Sequence, residues 1–273
     1  MSKHNTIGKG KSERAVNGGL DKYFTKKYIA DYYANIVLER YGKDTQYIEP
    51  TAGNGAFLGI LPKCRAYDLL SDNPIVEQAN VFDLHFNNTD VIIGNPPFGM
   101  NASIAQKIFN HIADFNVKAI CFILPKTFKK TSMHNKLHLN YHLVFEQDLI
   151  NKAFSVEGAD YNVPCVFQIW EYKAKARVVK SLPKTDWITF TTKDNADIAI
   201  RRAGGKAGQI LEGIEHSESS TYFIKLNHRS ALTALRFMNL AVVDFTAGVR
   251  SISKTELINE FNKAMEILIE GEL

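Results

Sequence analysis

Cysteine is scarce in this chain of 273 residues, with three, at positions 64, 121 and 165. Three isolated cysteines cannot build the disulfide framework of a small secreted domain. Each sits in an apolar, strand-like run, so Cys64, Cys121 and Cys165 read as reduced core residues of a cytoplasmic protein. No Cys/His cluster has zinc-ligand spacing and the eight histidines are scattered, so no metal site is expected. No apolar run approaches the roughly 18 residues that span a membrane. The opening Met1–Leu20 lacks the apolar stretch of a secretory leader; it is rich in Gly, Lys and Ser and is expected to be mobile. No tandem repeat is visible, and no P-D-(x)n-E-x-K run suggests a nuclease. What is present is an ordinary globular composition, 45% hydrophobic and 23% charged, with a net charge of +4. The length suits one domain of catalytic size and a small second one.

Proline is also sparse, and two of the eight prolines are adjacent, in Asn95-Pro96-Pro97-Phe98. The tetrapeptide follows the apolar run Asp90–Gly94, which reads as a buried strand. It should therefore sit at a strand's carboxyl end, where open α/β sheets place their ligand crevices. Two prolines fix φ twice and remove two backbone donors, and the residue before a proline is pushed out of the helical region. The product is a stiff loop presenting an amide side chain, carbonyl acceptors and an aromatic ring, a set suited to gripping an exocyclic amino group on a planar ring.

Upstream lies Tyr47-Ile48-Glu49-Pro50-Thr51-Ala52-Gly53-Asn54-Gly55-Ala56-Phe57-Leu58, a short strand running into a glycine turn. Glycine permits a tight turn and close approach to a ligand. Asp68 ends a second strand-like segment, 64–68, where a carboxylate can accept both hydroxyls of a ribose. Asp83 follows in Asn80-Val81-Phe82-Asp83-Leu84. Ahead of all of these stands Tyr23-Phe24-Thr25, before a helical stripe of Ile29, Tyr32, Tyr33, Ile36 and Val37, for which Thr25 is a plausible N-cap.

These motifs resemble those of S-adenosylmethionine-dependent amino methyltransferases, in the order of the gamma class of DNA adenine-N6 enzymes. The likeness covers about residues 21–172. Asn95-Pro96-Pro97-Phe98 is similar to motif IV, the Glu49–Leu58 run to motif I, and Tyr23-Phe24-Thr25 to motif X. The resemblance implies that Asn95, Pro96, Pro97 and Phe98 form the catalytic cleft. It implies a cofactor, S-adenosyl-L-methionine, bound by Tyr23, Phe24, Thr25, Glu49, Pro50, Thr51, Ala52, Gly53, Asn54, Gly55, Asp68, Asp83 and Asn95. It places a second aromatic against the target base, with Phe154 the choice and Tyr161 the rival. The activity implied is methylation of the N6 amino group of adenine in DNA, with the base flipped out. The alternatives are an RNA methyltransferase acting on adenosine N6 or guanosine N2 and, from another class, a catalytically silent nucleic-acid-binding subunit. Cytosine-N4 and protein-glutamine methylation rank lower.

The fold expected is α/β, a doubly wound, mostly parallel seven-stranded Rossmann-like sheet with a small C-terminal recognition region. Strands are expected near 46–49, 63–67, 79–82, 90–94, 118–124, 142–147 and 163–171, and helices near 26–41, 55–60, 101–114 and 130–138. The domains expected are 21–172 for catalysis and 173–273 for recognition. Residues 171–254 carry 14 Lys/Arg against 8 Asp/Glu. Arg201, Arg202 and Lys206 there, and Lys126 at the cleft's rim, are the candidate contacts to nucleic acid. A closing amphipathic helix should start at Ser253 or Thr255, with Glu256 in its first turn. No membrane or metal partner is expected, and no feature implies an oligomer.

Overall fold

The computed structural model describes residues 24–271 apart from 72, 157–158 and 245–249. The chain divides into two compact units, Met1–Phe128 with Asn135–Val178, and Lys129–His134 with Val179–Leu273.

In the first unit, β1 (Phe24–Thr25) leads into α1 (Lys27–Tyr41), followed by β2 (Tyr47–Glu49), β3 (Cys64–Asp68), β4 (Glu77–Gln78) and β5 (Val91–Gly94). Then come α2 (Ser103–Ala113) and β6 (Ala119–Pro125). A short helix α3 (Thr131–His134) belongs to the second unit. The first unit resumes with β7 (Tyr141–Asp148), β8 (Phe154–Val156), β9 (Ala159–Tyr161) and β10 (Cys165–Tyr172). Seven of these strands form one sheet in the order β4-β3-β2-β5-β6-β10-β7. Every neighbouring pair from β4 to β6 is parallel, and β10 runs antiparallel to both β6 and β7. The fold is thus α/β with a mostly parallel seven-stranded sheet.

The sheet's centre explains itself from composition. Val91, Ile92 and Ile93 of β5 and every residue of β6 are buried, as strands covered on both faces require. Helix α2 buries Ala105, Ile108, Phe109, Ile112 and Ala113, a stripe at helical spacing. The strand order runs outward from β2 in one direction through β3 and β4, and in the other through β5 and β6. The reversal lies between β2 and β5. In open sheets the ligand crevice opens at that point, beyond the strands' carboxyl ends. Those ends are Glu49 and Gly94, immediately before Pro50 and Asn95.

Four local expectations change. Residues 55–60 are not helical but a series of turns, because Gly55 and Gly59 adopt φ of +78° and +84°, a conformation that breaks a right-handed helix. The strand expected at 79–82 is replaced by the two-residue β4 and a 3₁₀ turn over Val81–Asp83. The Asn80 side chain starts that turn by accepting the Phe82 N–H at 3.1 Å, a local bond that competes with strand pairing. The helix expected at 130–138 shrinks to α3. Thr25 does not cap α1: the N-cap position is Lys26, which makes no side-chain capping bond, and Thr25 is the last residue of β1. Strand β1 pairs with β8 and β8 with β9, giving a small separate sheet that the sequence pattern did not reveal.

The second unit holds β11 (Ile188–Thr191), β12 (Ile198–Arg201), β13 (Ile210–Leu211) and β14 (Thr221–Leu226) in an antiparallel sheet of order β11-β14-β12-β13. Helices α4 (Ala231–Phe237) and α5 (Lys254–Glu270) complete it. Ile200 and Ile224 pack with Ala234, Leu235, Leu257, Phe261 and Met265 in one core. Of the two candidate caps for the last helix, Ser253 is the one used. Its hydroxyl accepts the Glu256 N–H at 3.2 Å, and the Glu256 carboxylate accepts the Ser253 N–H at 2.8 Å. This is a complete capping box.

Candidate active site

A cavity of about 830 Å³ opens in the first unit at the sheet's reversal point. Its wall gathers residues distant in sequence: Phe24 and Thr25 from β1, Glu49 at the end of β2 with Pro50–Asn54 beyond it, Asp68 at the end of β3, and Asn95–Phe98 beyond β5.

The loop after β2 is built by its bonds to the loop after β3. The Ala52 N–H donates to the Tyr67 carbonyl at 2.8 Å. The Gly53 N–H donates to Asp68 Oδ2 at 2.7 Å, and the Leu70 N–H to Asp68 Oδ1 at 3.0 Å. Ser71 Oγ donates to the Gly53 carbonyl at 2.7 Å, and Asn73 Nδ2 to the Asn54 carbonyl at 2.9 Å. Gly53 takes φ +53°, and a Cβ there would touch the Phe24 ring at 3.4 Å. Phe24 therefore lies over the bare backbone of the turn. The carboxylate of Asp68 keeps acceptor capacity beyond its two backbone bonds.

Glu49 is the electrostatic oddity. Its side chain is 2% exposed, and burial holds its carboxyl well above the usual carboxylate range. The Phe57 N–H opposes the shift, and the charge of Asp68 adds to it. Glu49 Oε2 and Thr51 Oγ1 are buried with no hydrogen-bond partner among the described residues, and both residues border the cavity. Buried polar atoms of this kind cost free energy unless something completes them. A ligand bringing N–H donors or positive charge would do so, and the ammonium of S-adenosylmethionine is such a group. The acceptors fit that cofactor: the carboxyl groups of Glu49 and Asp68, with a glycine turn between them.

The loop after β5 is equally constrained. The Phe98 carbonyl accepts the Ile104 N–H at 3.1 Å, which ties the loop to the start of α2. Gly99 takes φ +67°, and a Cβ there would lie 2.5 Å from Ile104 Cγ1, so only glycine fits. Phe98 is 5% exposed and reachable from within the cavity. Asn95 Nδ2 donates to Thr25 Oγ1 at 3.2 Å.

Other residues singled out by sequence lie elsewhere. Gly55 does not border the cavity; a Cβ there would come within 2.5 Å of Leu58 Cδ1, so it serves the turn itself. Asp83 is exposed and off the wall, while its neighbours Asn80, Val81 and Phe82 line it. Phe154 is fully buried in β8, opposite Thr25 in the strand pairing, and does not border the cavity. Tyr23 and the side chain of Tyr161 lie outside the described residues. Lys126 is ion-paired with Asp148 at 2.9 Å and is off the cavity wall.

Arg201, Arg202 and Lys206 belong to the second unit. Arg201 donates to Ser220 Oγ at 2.8 Å, and the Arg202 guanidinium lies 6.0 Å from the Tyr222 ring centre. That unit carries 14 Lys/Arg against 12 Asp/Glu, because α5 brings its acidic residues into it. One of them, Glu256, pairs with Lys130 at 3.0 Å. The basic excess read along the chain is therefore mostly offset within the folded unit.

Leu69, Leu70, Phe82, Ile104 and Lys107, which stand out in no sequence motif, also line the cavity. Leu69 and Leu70 are 50% and 65% exposed and Phe82 is 44% exposed, its ring edge-on to His111. The available signal was their position, immediately after Asp68 and immediately before Asp83.

Residues 75–196 match the family model of the EDM2 methyltransferase-like domain. The match spans less than half of the chain; it includes Asn95–Phe98 and begins beyond Asp68. No curated protein matches the chain. Among solved structures, it is similar to a Pyrococcus horikoshii protein described as a candidate RNA methyltransferase, at 13% identity and a TM-score of 0.45, covering 56% of this chain and 87% of that one. A Thermoplasma acidophilum protein matches at 15% identity and a TM-score of 0.42, covering 57% and 93%. The modification subunit of a candidate type I restriction enzyme from Vibrio vulnificus YJ016 matches at 14% and 0.42, covering 58% of this chain and 46% of that one. Among the described residues, no helix is long and apolar enough to cross a membrane, and no cluster of His, Cys, Asp and Glu could hold a metal ion.

Proposed function

We propose that the protein transfers a methyl group from S-adenosylmethionine to the N6 amino group of adenine in DNA. The observation that carries this reading is the convergence of Asn95–Phe98, Glu49–Gly53 and Asp68 on one cavity at the sheet's reversal point. When bound, the cofactor supplies an electrophilic methyl group, already activated by its sulfonium. The chain's own task is to place and polarise the nucleophile. An adenine amino lone pair is delocalised into the ring. If Asn95 Oδ1 and the Pro96 carbonyl accept its two N–H bonds, the nitrogen can pyramidalise and free that lone pair. Asn95 and the two prolines are held before substrate arrives, so catalysis here is positioning and preorganised polarity. Flipping a base from a duplex costs a few kcal/mol, and stacking on an aromatic such as Phe98 returns about 1–3 kcal/mol.

Glu49 makes cofactor binding depend on pH. Without ligand its raised pKa keeps the carboxyl protonated beyond the ordinary 4.5. Binding an ammonium selects the carboxylate and releases that proton. Affinity for S-adenosylmethionine should therefore rise with pH up to the raised value and then level off. Titration calorimetry across pH tests this; Glu49→Gln should flatten the profile, and an unchanged profile would remove Glu49 from the site. The stability of the ligand-free protein should change in the opposite sense. The raised pKa contributes stability at low pH that is lost as pH rises through it.

The activity is tested by incubating the purified protein with labelled S-adenosylmethionine and unmethylated DNA or RNA, then identifying the modified nucleosides by mass spectrometry. N6-methyladenine in DNA is expected. Label confined to RNA would replace the substrate and keep the chemistry. Cofactor binding without transfer to either would mark a silent or partner-dependent subunit.

A further inference from the structure

An amide side chain presents an acceptor on one side and two donors on the other. A flipped Asn95 would offer its NH₂ to the substrate's own NH₂, donor against donor, so the side chain must be held in place for its oxygen to serve. One group that holds it is Thr25. Thr25 is 9% exposed, borders the cavity, and accepts from Asn95 Nδ2 at 3.2 Å. Its backbone is held too: Thr25 pairs with Phe154 across β1 and β8, and the next residue, Lys26, donates its N–H to the Ala153 carbonyl at 3.1 Å and its ammonium to Asp160. A two-residue strand with no place in the main sheet is thus fastened where its hydroxyl meets the amide.

We propose that Thr25 is a positioning residue, whose hydroxyl, by accepting from the Asn95 amide nitrogen, holds that side chain in the rotamer that places its oxygen by the methyl-accepting amine. The role rests on the amino-methyltransferase reading of the site and adds to it a residue on a different element. It also gives the short sheet of β1, β8 and β9 a function. That sheet carries no part of the seven-stranded core, yet it sets the geometry of the loop beyond β5.

The test compares wild type, Thr25→Val and Thr25→Ser. Valine keeps the branched shape and removes the hydroxyl; serine keeps the hydroxyl and removes the methyl. In Thr25→Val, kcat for methyl transfer should fall about tenfold, the worth of a hydrogen bond that holds a reacting group. The fall in kcat should exceed any rise in the cofactor's Kd, because the resemblance also sets Thr25 beside the cofactor while the loss proposed here lies in the reacting geometry. Thr25→Ser should restore most of kcat. A second reading needs no turnover: the Asn95 side-chain amide signals in a ¹⁵N–¹H spectrum, assigned by their loss in Asn95→Asp, should resist hydrogen exchange in wild type and Thr25→Ser and lose protection in Thr25→Val. Wild-type kcat in Thr25→Val would overturn the proposal. So would equal losses in Thr25→Val and Thr25→Ser, which would mark packing, or a loss confined to cofactor affinity, which would mark a cofactor contact. If wild type binds cofactor but transfers no methyl group to any amine, the activity reading fails first, a result distinguishable from all of these.

Discussion

Asn95→Ala should abolish methyl transfer while S-adenosylmethionine still binds. The substitution removes the side-chain acceptor and leaves the loop's other restraints, the two prolines and the Phe98 carbonyl bond to Ile104. Loss of one preorganised polar partner at a reacting group costs on the order of 10²–10³ in kcat. On the function proposed, cofactor affinity rests mainly on groups along the opposite side of the reversal point, Glu49, Gly53 and Asp68. It should change by no more than about threefold. The measurements are single-turnover transfer and calorimetric binding on the same preparation. Equal losses in both would show that Asn95 holds the cofactor rather than the amine.

Asp68→Ala should have the complementary effect, raising the cofactor's Kd about 100-fold with a much smaller change in kcat at saturation. Asp68 does two things. It accepts the Gly53 and Leu70 N–H groups and so shapes the glycine turn, and it presents a carboxylate to the cavity. Hydrogen bonds to a charged group are worth about 1.5–3 kcal/mol each, so losing the carboxylate removes binding both directly and through the relaxed turn. Asp68→Asn keeps one oxygen and should fall between the two. A collapse of kcat with Kd unchanged would place Asp68 in the chemistry and not in cofactor binding.

Much of the fold was legible because burial on both faces demands continuous apolar runs. Ile92–Ile93 and Ile120–Leu124 can be little else than central strands. The failures share one cause: short-range geometry that hydrophobic patterning does not encode. Residues 55–60 look helical until two positive-φ glycines turn the chain. Asn80 diverts a strand-like stretch into a 3₁₀ turn through one side-chain bond. Strands of two or three residues, such as β1 and β8, have no period to detect, so Thr25 reads as a helix cap although it ends a strand.

The residue types of the candidate site were legible for a chemical reason. A rigid amide–proline–proline–aromatic loop and an acid followed by a glycine turn are rare combinations with few ordinary structural uses. Which neighbours complete the cavity was not legible. Leu69, Leu70 and Phe82 reach it because loops at the ends of separate strands come together, whereas Asp83, next to Phe82 in the chain, faces elsewhere. Charge shows the same division. The basic run before Lys254 and the acidic stretch that follows it are both plain in the sequence, but only folding adds Lys129–His134 to the same unit.

By itself, then, the sequence determined the mostly parallel α/β sheet and the two loops rich in chemistry, because burial and backbone stiffness are properties of contiguous residues. Only the tertiary structure decided that Thr25 meets Asn95 and that Glu49 is buried with an oxygen awaiting a partner. Hydrogen bonding across 70 residues and desolvation of one carboxyl depend on what the rest of the chain brings close.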